Sequence, residues 1–177
     1  MKRKSTTNIL AREYIVSALL ILTRNKPLSS VSITELCEKA GVSRMTFYRN
    51  YDSIEDIFLC ALSEIFDNYR SDEERSKLDG EFFDKVYLGH FFDYVYEHKE
   101  LFNGIIKCGY GLTFLEMITD YVKMKWANKE DEYKLIAFAG ALFNSCIYWA
   151  KNNYIIKKQT IIDSLANTYR IQATAVE

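Results

Sequence analysis

Apolar residues return every three to four positions along nearly the whole chain, the period of an α-helix rather than the alternation of a strand. The first run predicts a helix from Thr7 or Asn8 to about Arg24, with Leu10, Tyr14, Ala18 and Leu22 recurring at four and Ile15 and Leu19 beside them. Pro27 and two serines mark Asn25 to Val31 as a loop. Ser32, followed three residues later by Glu35, reads as a capping box. The helix it opens carries Ile33, Leu36 and Ala40 on one face. Gly41 then ends it, glycine being the cheapest left-handed residue. Val42 is an apolar plug after the turn, and Ser43 can cap a second, short helix. In that helix Phe47 and Tyr51, four apart, point inward together. Ser53, with Asp56 at the third helical position, opens a fourth helix that the pattern carries to about Tyr69.

Ser71 to Gly80, SDEERSKLDG, is the one polar break, and the domain junction is placed near it. Beyond it the pattern predicts helices over 81–98, 100–108, 112–126, 131–152 and 160–170. Phe82, Val86, Phe91, Phe92 and Val95 stripe the first. Leu112, Leu115, Ile118, Val122 and Trp126 face inward on the third. Leu135, Phe138, Leu142, Cys146 and Trp149 do so on the fourth, which is apolar nearly all round, and Thr160 caps the last. The expected organisation is an all-α protein: residues 1–52 form a three-helix head, helix 53–70 connects, and residues 71–177 form a helical body.

Composition agrees with that class. The chain has 177 residues, about half of them apolar, with one proline and seven glycines. The net charge is −1, but residues 1–55 carry a surplus of four positive charges, and the remainder a deficit of five. A basic front on an acidic body fits a polyanion at one end only. Cysteines at 37, 60, 108 and 146 form no CxxC pair and read as reduced, buried thiols of a cytoplasmic protein. His90 and His98 are eight apart with no clustered ligand beside them, so no metal or other cofactor is expected. No nucleophile–base pair or phosphate loop suggests an enzyme. No apolar stretch reaches membrane-spanning length.

The outward face of the short helix after Ser43 carries Arg44, Met45, Tyr48 and Arg49, the face a recognition helix offers to a DNA major groove. The run AGVSRMTFYRNYDSIEDIF, with its Gly-Val-Ser, Phe-Tyr-x-x-Tyr and Ser-x-Glu-Asp elements, resembles the signature of the TetR/AcrR family of bacterial transcriptional regulators. The resemblance covers roughly residues 7 to 60. It implies a helix-turn-helix DNA-binding domain on a helical effector-sensing body, acting as a homodimer on a palindromic operator, most simply as a repressor. By the motif Tyr48 places its hydroxyl on a phosphate. Thr34 and Thr46, near helix starts, can do the same, and Ser43 belongs to the same DNA-facing set. Arg44, Met45 and Arg49 are candidates for base edges, arginine for guanine and methionine for a thymine methyl. Asn50 can contact either base or backbone.

Two departures stand out. Family members commonly carry lysines flanking the serine that caps the fourth helix, and here those positions are Asp52 and Ile54, an arrangement expected to weaken DNA affinity. The basic arm Lys2, Arg3 and Lys4 is the candidate compensation. The runs FFDYVYEHKELFNGIIKCGYG and FAGALFNSCIYWAKNN resemble a subgroup that includes regulators beside dihydroxyacetone kinase genes. That likeness implies dimerisation through the last two long helices and an effector, either a small ligand or a protein partner. Tyr87, Phe91, Tyr94 and Tyr110 can line a ligand pocket. Phe114, Tyr121, Phe143 and Trp149 complete the candidate set, and ordinary core packing explains all eight equally well. The alternative to a regulator is a helical interaction protein whose head binds DNA weakly.

Overall fold

The computed structural model describes residues 6–78 and 80–174, with side chains from 8 to 170. Among them it is all-α: α1 Thr6–Thr23, α2 Ile33–Ala40, α3 Arg44–Tyr48, α4 Ile54–Ser76, α5 Lys85–Glu97, α6 Lys99–Lys107, α7 Gly111–Trp126, α8 Glu132–Lys151 and α9 Lys158–Thr174. A 3-10 turn at Leu28–Ser30 follows Pro27. The chain forms two compact units. The first runs to Phe66 and takes in Asn103–Tyr110; the second comprises Asp67–Phe102 and the chain from Gly111 on.

In the first unit α1 turns Ala11, Ile15, Ala18 and Leu19 inward. The expected stripe is out of phase by one position at its start, because Leu10 and Tyr14 are exposed. The core is completed by Leu36 of α2, Phe47 of α3, Ile57, Phe58 and Leu62 of α4, and Ile105 of α6. Tyr110 packs on Phe58 with ring centroids 5.8 Å apart. α2 ends at Gly41, which sits at φ 67°. The next amide, Val42 N–H, donates back to the Cys37 carbonyl at 3.0 Å, closing the helix end.

The second unit is built around aromatic side chains. Phe82, Phe92, Phe114 and Phe138 are fully buried. Phe82 meets Phe138 edge-on at 4.7 Å, and Phe138 meets Tyr169 at 5.0 Å, the geometry aromatic quadrupoles prefer. Leu135, Leu142, Cys146 and Trp149 of α8 are buried. Of the four cysteines expected to be buried, Cys37 and Cys146 are, while Cys60, at the edge of the apolar face of α4, and Cys108, just past the end of α6, are half-buried. Elsewhere the expected stripes shift: Val86 and Leu112 are exposed, while Tyr87, Leu88 and Phe114 take the inward places. α9 begins at Lys158, so Thr160 lies inside its first turn rather than capping it.

The largest departure concerns 71–76, expected to break the chain. These residues are helical and extend α4 to Ser76. Arg70 pairs with Asp67 and Arg75 with Asp72 one turn away, so polar side chains support the helix instead of ending it. No proline lies in the stretch, and the first glycine is Gly80.

Candidate nucleic-acid interface

α3 has only five residues, and its position is set at both ends. At its start Ser43 Oγ accepts the Thr46 N–H at 3.1 Å, and the two hydroxyls lie 2.9 Å apart. At its end the Asn50 amide donates to the Thr46 carbonyl at 2.8 Å. Beneath it Phe47 has no exposed surface and Tyr51 almost none. Arg12 of α1 braces Tyr51 from the side, with its Nε 3.4 Å from the phenol oxygen and its guanidinium 5.4 Å from the ring centroid. The same arginine pairs with Glu64 at 2.7 Å. Burial pushes the Tyr51 phenol up, against the pull of Arg12. Arg12 therefore ties α1 to both α4 and the end of α3, a role its isolated place in the sequence does not signal.

Preceding α2 the capping box is in place: Glu35 N–H donates to Ser32 Oγ at 3.2 Å. The Glu35 carboxyl is held below its usual range, first by Lys26 and then by the Ser32 amide. Before α4, Asp56 N–H donates to Ser53 Oγ at 3.2 Å, and Asp52 N–H donates to the Asp56 carboxylate at 3.1 Å.

The outer surface of this arrangement is open. Arg44 and Arg49 are exposed, Met45 is 66% exposed and Tyr48 51% exposed. Thr34, Ser43 and Asp52 are also exposed, while Thr46 and Asn50 are half-buried. Among the described residues neither Arg44 nor Arg49 has a carboxylate partner, whereas Arg12, Arg70 and Arg75 each do. The Arg49 guanidinium rests against Met45, its Nη2 3.4 Å from the sulfur. Two unpaired guanidiniums beside an exposed tyrosine are chemically fitted to phosphate oxygens and guanine edges. Ile54 is buried, at 9% exposure, so it is not a surface position flanking this face; Asp52 is. Lys2, Arg3 and Lys4 lie outside the described residues.

The eight aromatic candidates in the body do not converge. Tyr87, Phe91 and Tyr121 line one cavity, together with Tyr69, Phe82 and Trp126. Tyr94 stacks on His98 at 4.3 Å. Tyr110 belongs to the first unit. Phe114 packs between Phe102 and Phe143 at 4.8 and 5.9 Å. Trp149 packs on Phe92 at 5.8 Å, and its indole N–H donates to the Ile156 carbonyl at 2.8 Å. The cavity has about 30 Å³ of free volume. That admits a water or two, against the ~300–1,000 Å³ typical of small-molecule sites. Beside it lies a charged group that sequence reading missed. Glu73 is 6% exposed and accepts from the Tyr121 hydroxyl and the Lys125 ammonium. Burial and the neighbouring Tyr69 push the Tyr121 phenol strongly up. No cluster of three or more metal-ligating side chains occurs among the described residues, and none of the helices described is long and apolar enough to cross a membrane.

The same architecture occurs in solved structures. Lin0861 from Listeria innocua aligns over 97% of this chain and 96% of its own, at 14% identity and a TM-score of 0.75. A TetR-family transcriptional regulator from Streptomyces coelicolor aligns over 90% of this chain and 78% of its own, at 16% identity and a TM-score of 0.58. The chain has a TetR-like all-α fold. At such identities the likeness establishes the fold alone. No family model matches the chain, and no curated protein matches it in sequence.

Proposed function

We propose that this protein is a DNA-binding transcriptional regulator of the TetR/AcrR type, not an enzyme, acting in the cytoplasm as a homodimer on a palindromic operator. The observation that carries the reading is the outer face of α3, where Arg44 and Arg49 stand exposed and unpaired on a helix capped by Ser43 and seated on Phe47. Exposed guanidiniums without carboxylate partners keep their charge and donors available, and a polyanion can use both. In this reading Tyr48, Thr34, Ser43 and Thr46 meet phosphates, and Arg44, Met45 and Arg49 meet base edges. The fold shared with a TetR-family regulator supports the same assignment.

Dimerisation is proposed through α8 and α9. Tyr133, Ile136 and Tyr148 are exposed on α8. A groove of about 400 Å³ runs between α8 and α9, past Tyr148, Ile156, Ile161 and Leu165. Two copies would set two heads on two half-sites. Repression by operator occupancy is the proposed sign. The subgroup motifs support kinship with regulators beside dihydroxyacetone kinase genes. The small cavity favours an effector that opens the second unit, or a protein partner, over a ligand fitting a preformed pocket. The test is a gel shift with the DNA upstream of the protein's own gene. A discrete complex carrying two chains per duplex is expected. Binding no tighter than to random DNA would refute the reading and favour a helical interaction protein.

A further inference from the structure

Met45 and Arg49 leave the reading face one turn apart, and the Arg49 Nη2 rests 3.4 Å from the Met45 sulfur. A thioether is a weak acceptor, and a guanidinium offers five N–H donors, so the contact steers Arg49 without using it up. Asn50, by contrast, is turned back onto the Thr46 carbonyl at 2.8 Å, its amide held against the helix end. We infer that Met45 and Arg49 read two neighbouring base pairs as one unit, Arg49 gripping a guanine and Met45 covering the methyl group of an adjacent thymine. The inference rests on the DNA-binding reading above and names the half-site feature that reading leaves open.

Geometry and chemistry favour adjacency. The two side chains leave one helix turn in contact with each other, so as a pair they reach adjacent base positions more readily than separated ones. Arginine is bidentate to guanine O6 and N7, and the thymine methyl is the apolar mark of the major groove. Methionine suits that mark because it is flexible and polarizable. With Met45 at 66% exposure, its side chain has no packing role in the fold, so truncation removes the contact without disturbing the helix.

The test uses the full-length protein and a pool of random duplexes, from which bound sequences are selected by wild type, Met45→Ala and Arg49→Ala. Wild type is expected to enrich half-sites with a thymine next to a guanine. Met45→Ala should lose the thymine and weaken the preference for its neighbouring guanine. Arg49→Ala should lose the guanine and, because coupling is mutual, weaken the preference for the thymine. Replacing that thymine by deoxyuridine removes only the methyl group. It should weaken wild type about fourfold per half-site, the worth of one buried methyl, and leave Met45→Ala unchanged. If Met45→Ala selects the same half-site as wild type, or deoxyuridine weakens both equally, the coupled reading is wrong while DNA binding stands. Enrichment of no sequence by wild type would overturn the DNA-binding reading itself, and this inference with it.

Discussion

The second unit and the outer face of α3 differ in what their charged side chains meet. In the second unit many cations have carboxylate partners: Lys85 with Asp163, Lys158 with Asp93, Lys123 with Glu132, and Lys134 with Glu130. Even its buried carboxylate, Glu73, has Lys125 and Tyr121. On α3 of the first unit the arginines are unpaired and Tyr48 faces outward. Satisfied charge holds a fold together; unsatisfied charge on a rigid, capped support is available for something else. The contrast separates the side chains that maintain the structure from those that are free to recognise.

The widest split is expected between the two faces of α3. Phe47→Ala should destabilise the protein by about 3–5 kcal/mol, since a fully buried phenylalanine leaves a cavity. Urea unfolding measures it. A loss below about 1 kcal/mol would mean that the support under the reading face is not rigid.

Next comes the buried ion pair of the second unit. Lys125→Met leaves the Glu73 carboxylate nearly buried with only a phenol beside it, and should cost about 3 kcal/mol, the low end for a broken buried pair because Lys125 keeps 22% of its surface. Adding Glu73→Gln in that background should restore most of the loss. Additive losses in the double variant would show that the two residues are not coupled.

That pair also marks where the sequence is hard to read. Ser71–Ser76 looks like a linker by composition, and its helicity depends on ion pairs within the turn and on Glu73 finding Tyr121 and Lys125, 48 and 52 residues away. Local features were legible because their causes are local: Ser32 and Ser43 as caps, Gly41 at positive φ, Phe47 and Tyr51 inward. The all-α class follows from periodicity alone. Phase was less secure, since Ala11 is small enough to turn inward while its larger neighbour Leu10 stays in solvent. The eight aromatic candidates show the same limit, because helical spacing gives a face but not what that face meets. Ile54 shows it most plainly. Its place beside the serine that caps α4 makes it a candidate to flank the DNA, and packing buries it.

Asp52 therefore becomes the position at which the head's charge can be adjusted. It is exposed, just past the end of α3. Asp52→Lys should leave folding unchanged and tighten binding at low salt on specific and random DNA alike. With one new phosphate contact per head, the slope of log affinity against log salt steepens by roughly 1.8 for a dimer. Coincident slopes would place Asp52 away from the phosphates.

The smallest effect concerns the capping box. Lys26 depresses the Glu35 carboxyl below 4.5, its unperturbed value, so its contribution is full above that pH and is lost as pH falls through the folded-state value. Glu35→Gln should remove that part of the acid dependence. The gap in urea midpoint between the two proteins should be constant near neutrality and close as pH drops below about 4.5. A gap that persists undiminished in acid would assign it to shape rather than charge.

The most direct test of the open face on α3 is the affinity of Arg44→Ala/Arg49→Ala for an operator duplex, measured by fluorescence anisotropy beside a thermal melt of the same sample. Both side chains are exposed and unpaired, so the melting midpoint should match wild type, while operator affinity should fall by at least about 1–3 kcal/mol per half-site. Undiminished affinity in a protein of unchanged stability would contradict the assignment of this face to DNA.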